Sequence, residues 1–302
     1  MKAKQKAIKR ILAGTDFSRP AANAVLRAAM LAAEHSASLE IVHVAPPRPT
    51  RAHLRRLGFG GSAAGDSDAP YKVHLDRARD LANSQGVVAS VKLLSGSAPA
   101  MLTREAARVT ADLVVLGHRG ERSLKDALIG TTAERMIERW TGDTLIVKNA
   151  PKETYGTILA CVALGPVSCS VVMSAVALSR QARLHVLHAY DPPFEVKLLA
   201  HGTNGETIAK HRAAAKDEAV RGLAEMLERC PVPGERHLEC HVRYGGWYGA
   251  PSTVVLGAAV RYAADIIVAG KNQSVLEEFF LGSVTKKIVR AARADVLVSD
   301  SR

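Results

Sequence analysis

Aromatic residues make up only 4% of the 302-residue chain, so Ala, Val, Leu and Ile must fill its interior. Few rings are left for stacking, which disfavours a platform for single-stranded nucleic acid. Cysteine is equally sparse: Cys161, Cys169, Cys230 and Cys240 all fall in the second half, and none forms a C-x-x-C pair. With no secretory leader in view, reduced and mostly buried thiols in a cytoplasmic protein are expected. Met1 to Arg10 carries five basic residues but runs straight into a predicted strand, unlike a targeting peptide. Charge is missing altogether from Thr154 to Ser179, a length that on paper could span a bilayer. Gly165-Pro166 interrupts that stretch, however, and Ser, Cys and Thr are scattered through it.

What is present fits a folded domain protein. Apolar residues reach 47% and charged residues 23%, and 302 residues suggest two domains. The net charge is +12, unevenly spread. Residues 1–150 hold 23 basic and 14 acidic side chains, residues 151–302 hold 18 and 15. The basic first half favours an anionic partner, whether nucleotide phosphates, nucleic acid or an acidic lipid surface, although a merely solvated basic surface would give the same count.

The chain repeats itself. Ile11-Leu12-Ala13 recurs as Ile158-Leu159-Ala160, Leu39-Glu40-Ile41-Val42-His43 as Leu184-His185-Val186-Leu187-His188, and Asp112-Leu113-Val114-Val115-Leu116-Gly117 as Asp265-Ile266-Ile267-Val268-Ala269-Gly270. Asp143-Thr144-Leu145-Ile146-Val147 recurs as Asp295-Val296-Leu297-Val298, again in the same order. A duplicated domain of about 150 residues follows, with the joint near Ala150-Pro151. The charge-free stretch is then the first strand and helix of the second copy, not a membrane span.

Within copy one, short β-branched runs alternate with helical patterns. Strands are predicted at Ile8–Gly14, Leu39–Val44, Val87–Leu94, Leu113–Leu116 and Thr144–Val147. Helices are predicted after Ser18 as N-cap, over Tyr71–Ser84, from Ser97 to about Val109, and over Thr132–Trp140. Continuous apolar strands alternating with helices imply a parallel sheet covered on both faces, with ligands at the carboxyl ends of its strands.

At one such end lies Gly117-His118-Arg119-Gly120, followed after nine residues by Gly130-Thr131-Thr132. Glycines let backbone N–H groups approach an anion, and Gly130 leads into a helix N-terminus. Thr131 with Glu134 has the spacing of a capping box. Arg119, Arg122 and Lys125 add positive charge. The residues alone read either as a phosphate cradle or as a βα connection whose glycines only make turns.

This G-x-x-G, nine residues, G-[ST] pattern resembles the nucleotide-binding signature of the ATP-binding universal stress proteins, and Ile11 to Ser18 resembles that family's first strand and turn. The resemblance spans nearly all of both copies. It implies two tandem Rossmann-like α/β domains of the adenine nucleotide alpha hydrolase-like kind, residues 1–150 and 151–302, each a five-stranded parallel sheet flanked by helices. It implies that Gly14, Thr15, Asp16 and Val44 line the adenosine end. Gly117, His118, Arg119 and Gly120 would wrap ribose and phosphates, with Gly130, Thr131 and Thr132 on the phosphate tail. ATP with Mg²⁺ is the implied ligand, and Glu121 and Asp126 read as solvated carboxylates rather than metal ligands. The last strands, Leu145-Ile146-Val147 and Val296-Leu297-Val298, are implied interface strands, within the chain or in a homodimer.

Copy two departs from the signature. Its loop is Gly270-Lys271-Asn272-Gln273 and reaches Gly282-Ser283 after eight residues, with Gln273 for Gly120 and Ala163 for Asp16. Poor or absent nucleotide binding is expected there. No lysine-bearing Walker loop and no G-x-S-x-G elbow occur, so no catalytic residue is assigned and at most weak ATP hydrolysis is expected. His185 and His188, three apart on a strand, point to opposite faces and read as structural. Cys230, Cys240 and His241 complete no zinc-ligand spacing. Arg48, Arg51, Arg55 and Arg56 read as a solvated loop, and Gly245-Gly246-Trp247-Tyr248-Gly249 as a loop packed between domains. The expected function is a nucleotide-dependent stress-response regulator with a protein partner not named by the sequence; a slow ATPase or nucleotide-transferring enzyme and a nucleotide-free scaffold are the alternatives.

Overall fold

The computed structural model describes residues 7–47, 68–120, 129–165, 167–234, 236–245, 251–271 and 282–300. One compact unit is Lys9–Trp140 and the other is built on Thr141–Arg302. The first runs β1 (Arg10–Thr15), α1 (Arg19–His35), β2 (Ser38–Ala45), α2 (Ala69–Asn83), β3 (Ala89–Ser95), α3 (Ala98–Arg108), β4 (Leu113–Gly117) and α4 (Thr131–Arg139). The second begins with β5 (Asp143–Val147), β6 (Thr157–Val162), α5 (Ser168–Leu178), β7 (Arg183–Tyr190) and α6 (Glu195–Ala200). It continues with α7 (Gly205–Arg229), β8 (Leu238–Tyr244), α8 (Pro251–Arg261), β9 (Ile266–Gly270), α9 (Ser283–Ala291) and β10 (Asp295–Ser299).

Local rules account for most elements. Ser18 caps α1, its hydroxyl accepting from the Ala21 amide at 3.3 Å, and Pro20 sits in the first turn, where its missing N–H is harmless. The charge-free stretch is β6 and α5, whose Val171, Val172, Met173, Ala175, Val176 and Leu178 are all buried. Among the described residues no helix is long and apolar enough to cross a membrane. One cap differs from expectation. Gly130, not Thr131, is the N-cap of α4, and it supplies no side-chain bond; Thr131 is already helical, so the proposed Thr131–Glu134 capping box is not formed.

The expectation of two separate five-stranded sheets is overturned. The strands form a single ten-stranded mixed sheet in the order β3-β2-β1-β4-β5-β10-β9-β6-β7-β8. The reason lies in the last strands. β5 and β10 are buried throughout, and a buried strand edge with unpaired N–H and C=O groups is costly. They satisfy each other, antiparallel, with Val296 opposite Ile146, Leu297 opposite Leu145 and Val298 opposite Thr144. The strands named for a homodimer seam thus pair within one chain, leaving β3 and β8 at the ends of the sheet.

Duplication is visible in hydrogen bonds as well as in sequence. Asp112 Oδ2 accepts from the Lys9 and Arg10 amides, both at 2.9 Å, tying β4 to the start of β1. Asp265 Oδ2 accepts from the Gly156 and Thr157 amides at 2.8 and 2.9 Å, tying β9 to the start of β6. Positive φ angles recur at matching places, Phe17 (66°) with Leu164 (56°), and Thr110 (49°) with Ala263 (48°). Two unrelated chains would not share such strained positions.

A charge network fastens α3 to the β2–β3 end of the sheet. Glu105, only 6% exposed, accepts from Arg108 Nε at 2.6 Å and from Lys92 Nζ at 2.7 Å, while Arg108 also reaches Glu40 at 3.2 Å. The bond from Arg108, against a smaller opposing effect of burial, holds the Glu105 carboxyl down at about 2. Burial, reinforced by Glu105, pushes Glu40 up and offsets part of the gain. Because Glu105 is depressed in the fold, its stabilisation is full above about pH 4.5 and fades as pH falls toward about 2. Glu105→Gln should lower stability by about 2 kcal/mol at pH 7, read from urea unfolding, and the difference from wild type should shrink below about pH 4. A constant difference across that range would contradict the network's role.

Candidate functional site

The carboxyl ends of β1 and β4 meet the first turn of α1. Gly14 is the fifth residue of β1, and a Cβ there would lie 2.6 Å from Leu116 Cδ2. Gly117 ends β4, and a Cβ there would lie 2.8 Å from both the carbonyl carbon and the oxygen of Pro20. Backbone cannot yield as a side-chain tip can, so only glycine lets β4 run this close to α1. At Gly120 an added Cβ would fall 2.4 Å from Asp16 Oδ2. Asp16 itself is fixed by its other oxygen, which accepts from the Ser18 amide at 3.1 Å.

The two ends of the glycine loop are pinned together. The Gly130 N–H donates to the His118 carbonyl at 2.8 Å, and the space at Gly130 is bounded by Arg119 Cα and the Gly120 nitrogen at 3.5 and 3.6 Å. Gly117, His118, Arg119, Gly120 and Gly130 are therefore neighbours, half-buried around the start of α4. Thr131 and Thr132 open α4, and the first-turn amides of a helix have no intrahelical acceptor. Because Gly130 caps without a side chain, those amides are not covered by their own cap residue. Glu121, Arg122, Lys125 and Asp126 lie outside the described residues, as does the arginine cluster from Arg48 to Arg56.

At the other end of the site the sequence missed a group of rings. Phe17, held at positive φ, stacks on His43 with centroids 4.2 Å apart; His74 lies 5.0 Å from Phe17 and Tyr71 5.0 Å from His43. Four residues from the turn after β1, from β2 and from α2 converge here, and no spacing in the chain signals it. His43 donates from Nδ1 to the Thr15 carbonyl at 2.8 Å, which leaves Nε2 as an acceptor. That Nε2 is buried and has no hydrogen-bond partner among the described residues. Burial lowers the pKa of the imidazole, against the opposing effects of the Thr15 bond and Asp16. Val44, next to it, is half-buried.

Copy two repeats the frame with different contents. His188 Nδ1 bonds the Val162 carbonyl at 2.9 Å, the counterpart of His43 and Thr15. Space beside Gly270 is bounded by side chains, Val171 Cγ2 at 3.1 Å and Val167 Cγ1 at 3.2 Å, instead of helix backbone. Leu164 replaces Phe17 and packs 3.0 Å from the Cβ position of Gly222 on α7. Gly282 caps α9 as Gly130 caps α4, again with no side-chain bond. Asn272, Gln273 and residues 246–250, including Trp247 and Tyr248, lie outside the described residues.

Known proteins confirm the duplication. A model of the universal stress protein family matches residues 7–148 and again residues 154–299. Over 149 residues the chain is 29% identical to universal stress protein A homolog 1 of Coxiella burnetii, covering 46% of this chain and 95% of that protein. A universal stress protein of Archaeoglobus fulgidus has the same fold at a TM-score of 0.69 and 13% identity, covering 97% of this chain and 98% of that one. A functionally unknown protein of Pseudomonas aeruginosa PAO1 follows at 0.65 and 18%, covering 98% and 94%.

The close approach at Gly117 is testable without any ligand. Gly117→Ala should lose about 2 kcal/mol in urea unfolding, because the new methyl group meets the Pro20 backbone. Gly270→Ala, where two valine side chains can shift, should lose less. Equal losses would contradict the difference drawn between the copies.

Proposed function

The chain belongs to the universal stress protein family, and from that premise we propose that its first copy alone holds an adenine nucleotide, ATP with Mg²⁺, whose occupancy regulates a partner. The observation that carries this reading is the cradle at Gly120, where a single Cβ would stand 2.4 Å from the Asp16 carboxylate. On this reading Asp16 and the adjoining Gly120 backbone would border the ribose together. Gly14, Thr15 and Val44 would border the base, with His43 Nε2, a buried acceptor that has no partner among the described residues, as a further contact. Gly117, His118 and Arg119 would follow the phosphates toward Gly130, Thr131 and Thr132. There the uncapped amides and the dipole of α4 favour negative charge.

Among the described residues we assign no base to an attacking water, and on this reading the nucleotide is held and read out, not turned over. Occupancy then biases conformation by its differential affinity for two states. A slow ATPase and a nucleotide-free scaffold are the outcomes that would displace this reading.

Titration calorimetry with Mg-ATP should show one site per chain. Gly120→Gln, which installs the residue of copy two, should weaken binding at least about 30-fold, equivalent to about 2 kcal/mol, with circular dichroism unchanged. Unaltered affinity in that variant would refute the assignment of the loop. Steady release of phosphate by the wild-type chain would favour the ATPase.

A further inference from the structure

Copy two carries a second chemistry-bearing cluster, away from the carboxyl ends of its strands. β7 and β8 pair in parallel, with His185 opposite Glu239 and Leu187 opposite His241. Period-two alternation puts His185, Glu239 and His241 on one face of the sheet. His185 Nδ1 lies 3.0 Å from His241 Nε2 and 3.4 Å from Glu239 Oε2, and the three residues each offer one ligand atom within 4.8 Å of the others. Tetrahedral zinc with bonds of about 2.0–2.1 Å sets its donors about 3.3 Å apart, close to the two shorter separations. Glu239, 44% exposed, can swing to close the third.

Tyr262, just beyond α8, stacks on both imidazoles at 4.5 Å and holds their planes; its hydroxyl accepts from Arg243 at 3.1 Å.

Comparison with copy one sharpens the point. The register that pairs Leu159 with His185 and His185 with Glu239 pairs Leu12 with Glu40 and Glu40 with Ser90. Two residues along, Val42 faces Lys92 where Leu187 faces His241. In copy one these positions belong to the network in which Lys92 and Arg108 bring positive charge to Glu105 and Glu40. In copy two the lysine is replaced by an imidazole and the glutamate by another, so the positions present donors to a cation instead of carrying one.

We propose that His185, Glu239 and His241 form a binding site for zinc or a similar borderline divalent metal, joining the end strand β8 to β7. Two imidazoles and one carboxylate suit that class of ion, and a water would fill the fourth position. In the metal-free pair one ring donates to the other. On binding, that ring ligates as its other tautomer, its proton passing to the far nitrogen through solvent.

The test is titration of the untagged, chelator-stripped full chain with Zn²⁺ alone, together with Co²⁺ absorption spectra. One Zn²⁺ per chain is expected, with a rise in melting temperature on addition. His185→Gln and His241→Gln should each weaken binding at least 10-fold. Cys240→Ser should leave it unchanged, because Cys240 alternates to the opposite face of β8. The Co²⁺ complex should show ligand-field bands without thiolate-to-metal charge transfer. Absence of stoichiometric zinc on the wild-type chain, retention of binding in both histidine variants, or a thiolate band lost with Cys240→Ser would each overturn the proposal.

Discussion

The turn after β4 can lie against the first turn of α1 only because position 117 has no side chain. A methyl group there would press on the Pro20 carbonyl at 2.8 Å. From that approach the rest of the site follows. Gly120 is carried to Asp16, the His118 carbonyl comes within 2.8 Å of the Gly130 amide, and α4 starts at that point, capped by Gly130 without a side chain. The groups brought together here meet largely through backbone, the Asp16 carboxylate excepted. Such a site has little conformational freedom to lose on binding.

Duplication supplied two copies of one frame, and the frame has been kept more strictly than its contents. Carboxylates of Asp112 and Asp265 tie the same strands in each copy, and imidazoles of His43 and His188 bond the same carbonyl position. Contents differ in two places. At the carboxyl ends, the Val167 and Val171 side chains bound Gly270 where the Pro20 backbone bounds Gly117, and Leu164 stands in place of Phe17. Along β7 and β8, imidazoles stand where copy one has a glutamate and a lysine. Substitutions of this kind leave the sheet intact, because each strand keeps its apolar face and its register.

The internal repeat, the parallel α/β pattern and the Ser18 cap were legible in the sequence because each rests on local rules or on self-similarity. The glycine loop was legible as a motif, and the structure brings its members together. What escaped are features made by register. Nothing local in Leu145-Ile146-Val147 says that it lies antiparallel to β10 in one continuous sheet, since apolar strands of that kind pair with many partners. Phe17, His43, Tyr71 and His74 meet only through the strand order. His185 lies 54 and 56 residues from Glu239 and His241, beyond any motif spacing, and reading it against His188 looked along the strand when its partners lay across it. The Thr131 cap failed by one position, as Gly130 took the extended conformation instead.

The account stands on the first copy alone holding a nucleotide. Its most direct test is the nucleotide content of the purified full chain, released by heat and resolved by chromatography against protein concentration. About one adenine nucleotide per chain, recovered as ATP, is the predicted result. Two per chain would contradict the division between the copies, and an empty protein that also ignores added ATP would contradict the site itself.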